Sequence, residues 1–567
     1  RSLRIDCTSV LWMDARSRDD RSRSPLAGST RERGPCWRRG DAVQFFHEAD
    51  PASPDALHVY LPEVASAGSG LGPPLLQSHG WLDGTLHETF CKQAFDPDDQ
   101  DSWPLVRPAS SLLFTSRRGE RPGTLGPLRR VRPGWLRAPS AEPPRLSLLF
   151  VRQSGELIVE HQGKYGCPPS DLYMSSFVRL EMMAHPWLTR GAPAPPNDFE
   201  VFAAFVSDSG DLERLASAAP AIASRLRGER RTGFWMLWPT EWEDCGATDL
   251  GYVERAPFFR AMRACEAAGL RSGFPHPADQ YELIASKSWM ATLSTDPFAR
   301  SPAAVPVVVA DALRDLRRAA RQALAELQLL QQRHPLLRGA PGAVPPGEEA
   351  APPALAAANE RGVVKGVVKL GWSWEAKDVL VFSGEDQLSD RLEELLTCQC
   401  FHPSACFVQE WVDFDFEMRL FFLPAVGWTP AKRRELLPTR VEYNAWAEAP
   451  DEAGRPRGFR ILDKAECLAR WDDDEEALRS AEQQAVEVSQ HLIAWLAAGG
   501  RADGREGMAT AQVATPSAIR LDFMLRRVPG APPRVVFGEF CEAGAEVLGW
   551  SDGCKAMWRA SLDHVLS

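Results

Sequence analysis

The stretch from Ala518 to Gly544 reads AIRLDFMLRRVPGAPPRVVFGEFCEAG, two short apolar runs joined by a Pro/Gly-rich turn. In the first run Ile519, Leu521 and Phe523 alternate with Arg520 and Asp522. Successive side chains of a strand point to opposite faces, so one face packs while the other presents a cation and a carboxylate. The second run, Arg534 to Phe540, is read as returning antiparallel to the first, which carries Glu539 close to Asp522, and Glu542 follows at its end. Hard divalent ions such as Mg²⁺ take carboxylate oxygens and nucleotide phosphates together. Asp522, Glu539 and Glu542 are therefore candidate metal ligands on the phosphate side of a nucleotide. Taken alone, the hairpin reads equally as a surface element with ordinary charges.

Two upstream segments bear on that choice. Gly362–Val381 reads GVVKGVVKLGWSWEAKDVLV: an apolar strand bearing Lys369, a small-residue loop around Gly371 and Ser373, and a second apolar strand. A lysine on a strand ahead of such a loop neutralises phosphates while loop amides donate hydrogen bonds to them. The segment is not a Walker loop, because G-x-x-x-x-G-K-[ST] is absent. A plain hairpin with surface lysines is its other reading. Lysine is scarce, nine of the 65 basic residues, and Lys365, Lys369 and Lys377 fall together here. Further on, Phe407 to Val412 leads through Asp413-Phe414-Asp415-Phe416 into Glu417-Met418-Arg419-Leu420-Phe421-Phe422. Backbone groups at a strand end can pair with an adenine edge, Glu417 lies within reach of ribose hydroxyls, and Arg419 suits a phosphate or an acyl-phosphate.

The order of these elements carries more than any one of them. A lysine closing a helical stretch (Lys287) comes first, then a lysine-bearing strand and loop (Lys369) and an E-x-V segment (Glu410 to Val412). Glu417 stands seven residues on, and an R-x-D strand with a glutamate hairpin closes the series. This order resembles the ATP-grasp superfamily of carboxylate–amine ligases. Its nearest local echo is the D-alanine–D-alanine ligase type, whose metal strand reads R-V-D-F where this chain has Arg520-Leu521-Asp522-Phe523. The resemblance runs from about Phe199 to the C-terminus and is one of motif order and chemistry. It implies a mixed α/β (α+β) fold in which two α/β subdomains grip the nucleotide, preceded by a βαβ domain. It also implies that Lys287 and Lys369 contact nucleotide phosphates and that Glu410, Trp411 and Val412 form an adenine hinge. Glu417 would hold the ribose, Arg520 the phosphate or reacting carboxylate, and Asp522 and Glu539 would bind Mg²⁺ or Mn²⁺. One departure stands out: the family pattern E-x-N expects asparagine at position 541, where this chain has Cys541, so Glu542 would have to supply the missing oxygen.

Composition bounds the rest. With 567 residues, 44% hydrophobic content and 25% charge, the chain has the make-up of a globular protein of several domains. A net charge of −11 gives no general nucleic-acid footprint, and no apolar run is long enough to cross a bilayer, so the expected partners are small molecules or proteins; the resemblance implies a small carboxylate and an amine. Twelve cysteines without paired C-x-x-C spacing argue against a zinc site or a disulfide framework. Residues 1–40 are rich in Arg and Ser, as transit peptides are, while Asp6, Asp14, Asp19 and Asp20 argue against one; localisation stays open between cytoplasm and organelle.

Three regions are expected: a loop-rich N-terminal region 1–195, a βαβ domain 196–283, and an ATP-grasp domain 284–567 interrupted by a Pro/Ala/Gly-rich insertion at 335–358. The first has strand-like runs at Leu57–Leu61, Ser111–Thr115 and Leu146–Glu160, and His79, His87 and Glu88 as a site-like cluster whose alternative is packed or surface histidines. In the second, Phe199–Val206, Leu212–Leu226 and Thr232–Trp238 read as strand, helix, strand, and Ala256–Ala268 as a further helix. Val308–Gln332 reads as one long helix, and the acidic run Asp472–Glu476 as the cap of another ending at Ala498. His276, Asp279, Arg440 and Tyr443 are polar residues at domain edges that could contact a substrate. The expected activity is ATP-dependent activation of a carboxylate as an acyl-phosphate for capture by an amine or thiol. An ATP-binding assembly factor is the second reading, since Glu417-Met418-Arg419-Leu420-Phe421 is similar to the E-F-R-x-F segment of the cell-division-cycle 123 family. A degenerate nucleotide-binding domain or a phosphotransferase variant are the others.

Overall fold

The computed structural model describes residues 36–48, 58–61, 75–91, 99–110, 112–115, 124–125, 128–131, 135–139, 146–153, 199–206, 208–227, 231–237, 254–333, 364–372, 378–397, 405–448, 457–500, 515–542, 550 and 552–567. Ser373, Lys377 and the 335–358 insertion lie outside them. The fold is mixed α/β, as expected, and the described strands fall into a two-stranded, a twelve-stranded, a four-stranded and a five-stranded sheet.

Leu146–Gln153 reads LSLLFVRQ, a near-continuous apolar run of the kind that forms a strand buried on both faces. It lies between Phe199–Val206 and Arg231–Leu237 and pairs in parallel with both, and Leu75–Leu86 adds an antiparallel neighbour beyond Phe199–Val206. The boundary expected at 195/196 is therefore crossed by strand pairing, and the two βαβ strands flank a third rather than each other. Local periodicity cannot show this, because the inserted strand comes from a distant part of the chain. Leu149, Val151, Phe202 and Phe234 pack against the Ser209–Arg227 and Arg255–Ala267 helices. On the other face Leu148, Phe150 and Trp235 meet Trp558, Leu562 and Val565 of the Gly553–Leu566 helix, and this core reaches Phe421 of the five-stranded sheet and Ala518 just ahead of its Ile519–Arg526 strand. His79 is buried here with its ring stacked on Phe199 at 4.3 Å, whereas His87 and Glu88 lie exposed beside Arg107 and Arg130. The three form no common site.

The four-stranded sheet runs Ala304–Val307, Cys406–Glu410, Lys365–Leu370, Val379–Ser383, all antiparallel. The long helix expected over 308–332 is instead a short helix at Val309–Ala312 and a second helix at Leu316–Arg333. Asp315 breaks it: its carboxylate accepts the Arg318 amide at 3.0 Å and so starts a new helix. Leu313, between the two helices, is half exposed as a result.

The five-stranded sheet runs Arg457–Leu462, Arg440–Glu448, Phe416–Phe422, Ile519–Arg526, Arg534–Cys541. Its core face, with Phe416, Met418, Leu420, Leu521, Phe523 and Phe537, packs on the Glu475–Ala497 helix. That helix buries Leu478, Ala481, Ala485, Val488, Leu492 and Trp495, a stripe of three- and four-residue steps. As the acidic run implied, Asp474 caps it by accepting the Ala477 amide at 2.9 Å. Among the described residues, no helix is long and apolar enough to cross a membrane.

Candidate functional site

The other face of the five-stranded sheet is polar. Strand register sets Glu442, Arg419, Asp522 and Glu539 in one row across four strands, and Arg440, Phe421, Arg520 and Cys541 in the next. Simple alternation along VVFGE would put Val535, Phe537 and Glu539 on one face, with Glu539 in the core. A β-bulge prevents this: Phe523 pairs with Phe537 but Asp522 pairs with Glu539, leaving Gly538 as the extra residue. Bulges re-aim side chains in this way. Glu539 and Cys541 thereby join the polar face while Phe540 stays in the core.

Arg520 donates to Asp522 through Nε at 2.8 Å and Nη2 at 2.9 Å, and Nη2 also meets the Cys541 Sγ at 3.0 Å. Burial opposes the Arg520 charge, but the Asp522 partnership outweighs it and leaves the guanidinium raised above its ordinary value. Burial raises the Cys541 thiol well above its usual range, so it is a neutral thiol in the place where an asparagine was expected. Glu542 is buried, and desolvation, with the charge of Glu539, raises its carboxyl as well.

Lys287 and Lys369 reach this face from separate segments. Lys287 follows the Ala278–Ala285 helix in a left-handed conformation, φ 57°, and its Nζ lies 2.9 Å from Glu539 Oε1. Gly371 explains why Lys369 comes alongside: a Cβ there would stand 2.3 Å from the Ser286 carbonyl oxygen, so only glycine lets the Lys365–Leu370 strand end against the helix end. The Trp372 amide donates to Ala285 at 2.9 Å and locks that approach. Burial lowers the Lys369 ammonium to about 8, with the nearby charge of Lys287 adding to the effect and Glu539 opposing it. The same contact corrects one expectation. The Gly371 amide donates to the Ala405 carbonyl at 2.9 Å, so it is not turned toward a phosphate.

The expected hinge is partly committed within the fold. Glu410 accepts from the Ala303 amide at 2.9 Å and from Gln331 Nε2 at 3.0 Å, and the Trp411 amide donates to Lys365 at 3.3 Å. The Lys365 ammonium sits over the Trp411 ring at 3.6 Å. Of the four polar edge residues, Arg440 belongs to the polar face, 3.7 Å from Glu442. Tyr443 points to the opposite face and donates to Glu482, Asp279 pairs with Arg263 at 2.8 Å, and His276 is buried, its imidazole pushed down to about 3 by desolvation. The reason for Tyr443 is the two-residue period: Val441, Tyr443 and Ala445 face the core, so Arg440, Glu442 and Asn444 face away from it. Glu442 and Asn444 were not singled out from sequence, although that alternation was readable.

Among the described residues no three His, Cys, Asp or Glu side chains gather to hold one metal ion. The donor set nevertheless fits Mg²⁺, which typically binds one or two carboxylates and completes its shell with phosphates and water. Asp522 and Glu539 stand directly opposite each other, and the acids crowd one another electrostatically. Burial raises the Glu417 carboxyl from 4.5 to about 7, with Asp522 and Glu539 adding to the rise and Arg419 and Arg520 opposing it. A carboxyl raised in the folded state confers stability that is complete below its unfolded value and lost as pH climbs through the folded one. Between about pH 4.5 and 7 this site is thus expected to weaken the fold. Glu417→Gln should remove on the order of 2 kcal/mol of that pH-dependent loss. Urea midpoints at about pH 5 and pH 8 check it, and an unaltered pH difference in the variant would exclude Glu417 as the source.

No protein-family model matches the chain, and no curated protein does. Solved structures similar to it include D-cycloserine synthetase, at 16% identity over 74% of this chain and 100% of that one with a TM-score of 0.38. The VanG D-Ala:D-Ser ligase of Enterococcus faecalis gives 11%, 75%, 99% and 0.41 for the same measures. The D-alanine–D-alanine ligase of Bacillus anthracis gives 10%, 74%, 96% and 0.36. Each likeness is faint, and the geometry of the polar face stands apart from them.

Proposed function

We propose that this chain is an ATP- and Mg²⁺-dependent ligase that activates a carboxylate as an acyl-phosphate and passes the acyl group to an amine. The observation that carries this reading is the delivery of Lys287 and Lys369, from two separate segments, onto the face that holds Arg520, Asp522 and Glu539. Cations and acids in that arrangement suit a triphosphate with its metal, and charge neutralisation with positioning is most of what phosphoryl transfer asks of a protein.

In this reading Lys287 and Lys369 hold the phosphates, Glu410 to Val412 border the adenine, and Glu417 holds the ribose. Asp522 and Glu539, opposite each other across the hairpin, would hold Mg²⁺ or Mn²⁺, which when bound neutralises phosphate charge; Glu542 does not gather with them as a third ligand. Arg520 and Arg419 orient the carboxylate. Its oxygen attacks the γ-phosphorus and ADP leaves; the amine nitrogen then attacks the acyl carbon and inorganic phosphate leaves. Lys287 must exchange its bond to Glu539 for a phosphate as the nucleotide binds.

The test is ADP formation from ATP with a panel of carboxylates and amines, alongside melting curves with ATP, with Mg²⁺ and with both. The expected result is a larger thermal shift with ATP and Mg²⁺ together than with either alone, and ADP release that requires a carboxylate. Absence of ADP with every carboxylate sinks the ligase reading. Binding without turnover would favour a nucleotide-binding domain that has lost catalysis, the reading supported by Cys541, whose thiol is engaged with Arg520.

A further inference from the structure

On the polar face, Nε and Nη1 of Arg419 and both amide atoms, Oδ1 and Nδ2, of Asn444 are buried with no hydrogen-bond partner among the described residues, and the Glu442 carboxylate stands opposite Arg419 across the strand pair. Asn444 is 0% exposed and Arg419 4%. Asn444 stands directly opposite Glu417, and Arg419 is two residues further along the same strand, so the two are diagonal neighbours on one face. Such neighbours have Cα atoms roughly 7–8 Å apart. The Arg419 guanidinium has only long ion-pair contacts, 3.7 Å to Glu417 and 3.8 Å to Asp522, and lies over the Phe459 ring at 4.9 Å. Neither carboxylate is within hydrogen-bond range.

Native proteins rarely leave buried polar groups unpaired, and those that remain call for a ligand or another specific cause. A leucine at 444 would fill the same volume without stranding an amide. The chemistry of the four atoms narrows what they would take. The guanidinium has only donors and needs an anion. A primary carboxamide offers donors on nitrogen and an acceptor on oxygen, which together complement one peptide group through its C=O and N–H. An α-ammonium group has donors only and would leave the Asn444 nitrogen unpaired, while a simple carboxylate would meet Arg419 alone.

We propose that Arg419 and Asn444 form the subsite for an amide-bearing carboxylate, a peptide C-terminus or an N-acyl amino acid, and that this is the carboxylate activated on the polar face. In such a molecule a single carbon separates the carboxylate from the amide, a short span that suits one group on each of two diagonal residues. The inference rests on the proposed ligase reading and names its substrate class.

The experiment measures ADP formation and thermal shift with ATP and Mg²⁺ present, using propionate, alanine, N-acetylalanine and alanylalanine as matched probes. N-acetylalanine or alanylalanine should half-saturate at least about tenfold below alanine and propionate, and whichever of the two is tighter distinguishes an acyl from a peptidyl substrate. Asn444→Leu should bring the ratio of N-acetylalanine to propionate to near one. The same variant should melt, without ligand, at or above the wild-type temperature, because an unpaired buried amide is replaced by an apolar side chain of similar size. Asn444→Ser serves as the second variant and should also lose the preference. ADP formation without preference for the amide-bearing probes, or a preference that survives both substitutions, overturns the subsite while leaving the ligase reading in place. A leucine variant that unfolds would show the amide to be a structural partner and would overturn it too. ADP formation with no carboxylate at all removes both.

Discussion

Asp522→Ala is expected to cost about 3–5 kcal/mol of stability, because it strands the Arg520 guanidinium, charged and buried, without its two-pronged partner. Cys541 remains beside Nη2 but is a neutral thiol and cannot balance the charge. The cost should be specific to breaking the pair rather than to losing it. Replacing both residues with apolar ones, as in Arg520→Met with Asp522→Leu, removes the two desolvation penalties together and should recover much of the loss. Urea unfolding of the two single variants and the double variant measures this directly. A loss below about 1 kcal/mol for Asp522→Ala would mean that the pair is effectively solvated. On the proposed reading the same substitution also abolishes Mg²⁺-dependent ADP formation, because Asp522 stands opposite Glu539 in the acid pair.

Lys369→Met should have the reverse balance. The ammonium is held down at about 8 by desolvation and by Lys287, against an ordinary 10.5. A lysine lowered in the folded state makes the fold gain stability as pH rises from about 8 to 10.5, so below that window the charge is a burden. Methionine keeps the apolar stem without the charge, and the ligand-free variant should be as stable at neutral pH as the wild type, or more so. ATP affinity should fall by about tenfold to 150-fold, the worth of a hydrogen bond to a charged group. Wild-type ATP affinity should also decline as pH rises through about 8, where the lysine loses its proton, and the variant should lack that decline. Calorimetric titration at several pH values checks both statements. Unchanged affinity in Lys369→Met would remove this residue from the phosphate site.

On the proposed reading, the two variants differ because the polar face would take a ligand that carries both signs of charge. Without it Lys287 binds Glu539 and Arg520 binds Asp522, each cation standing where a phosphate or carboxylate is proposed to bind. Lys369, Glu417 and Glu542 are shifted toward their neutral forms.

Much of this was legible in sequence. Alternation over Ile519–Phe523 correctly put Arg520 and Asp522 on one face, and the acidic run before the Glu475–Ala497 helix correctly marked its start. These are local signals, set by a two-residue or a 3.6-residue period within one element. The same rule read on Arg440–Glu448 would have shown Glu442 and Asn444 with Arg440, and Tyr443 turned to the core.

Sequence by itself determined the mixed α/β class, the order of the charged motifs and the face each residue takes on a regular strand, because those depend on near neighbours. Tertiary structure alone decided three things. It inserted Leu146–Gln153 into the parallel sheet, it bulged Gly538 so that Glu539 turns out of the core, and it brought Lys369 beside Lys287 through the space left by Gly371. Each depends on which distant segments pack together, and the burial that selects those partners is a property of the assembled core that no short window of residues contains.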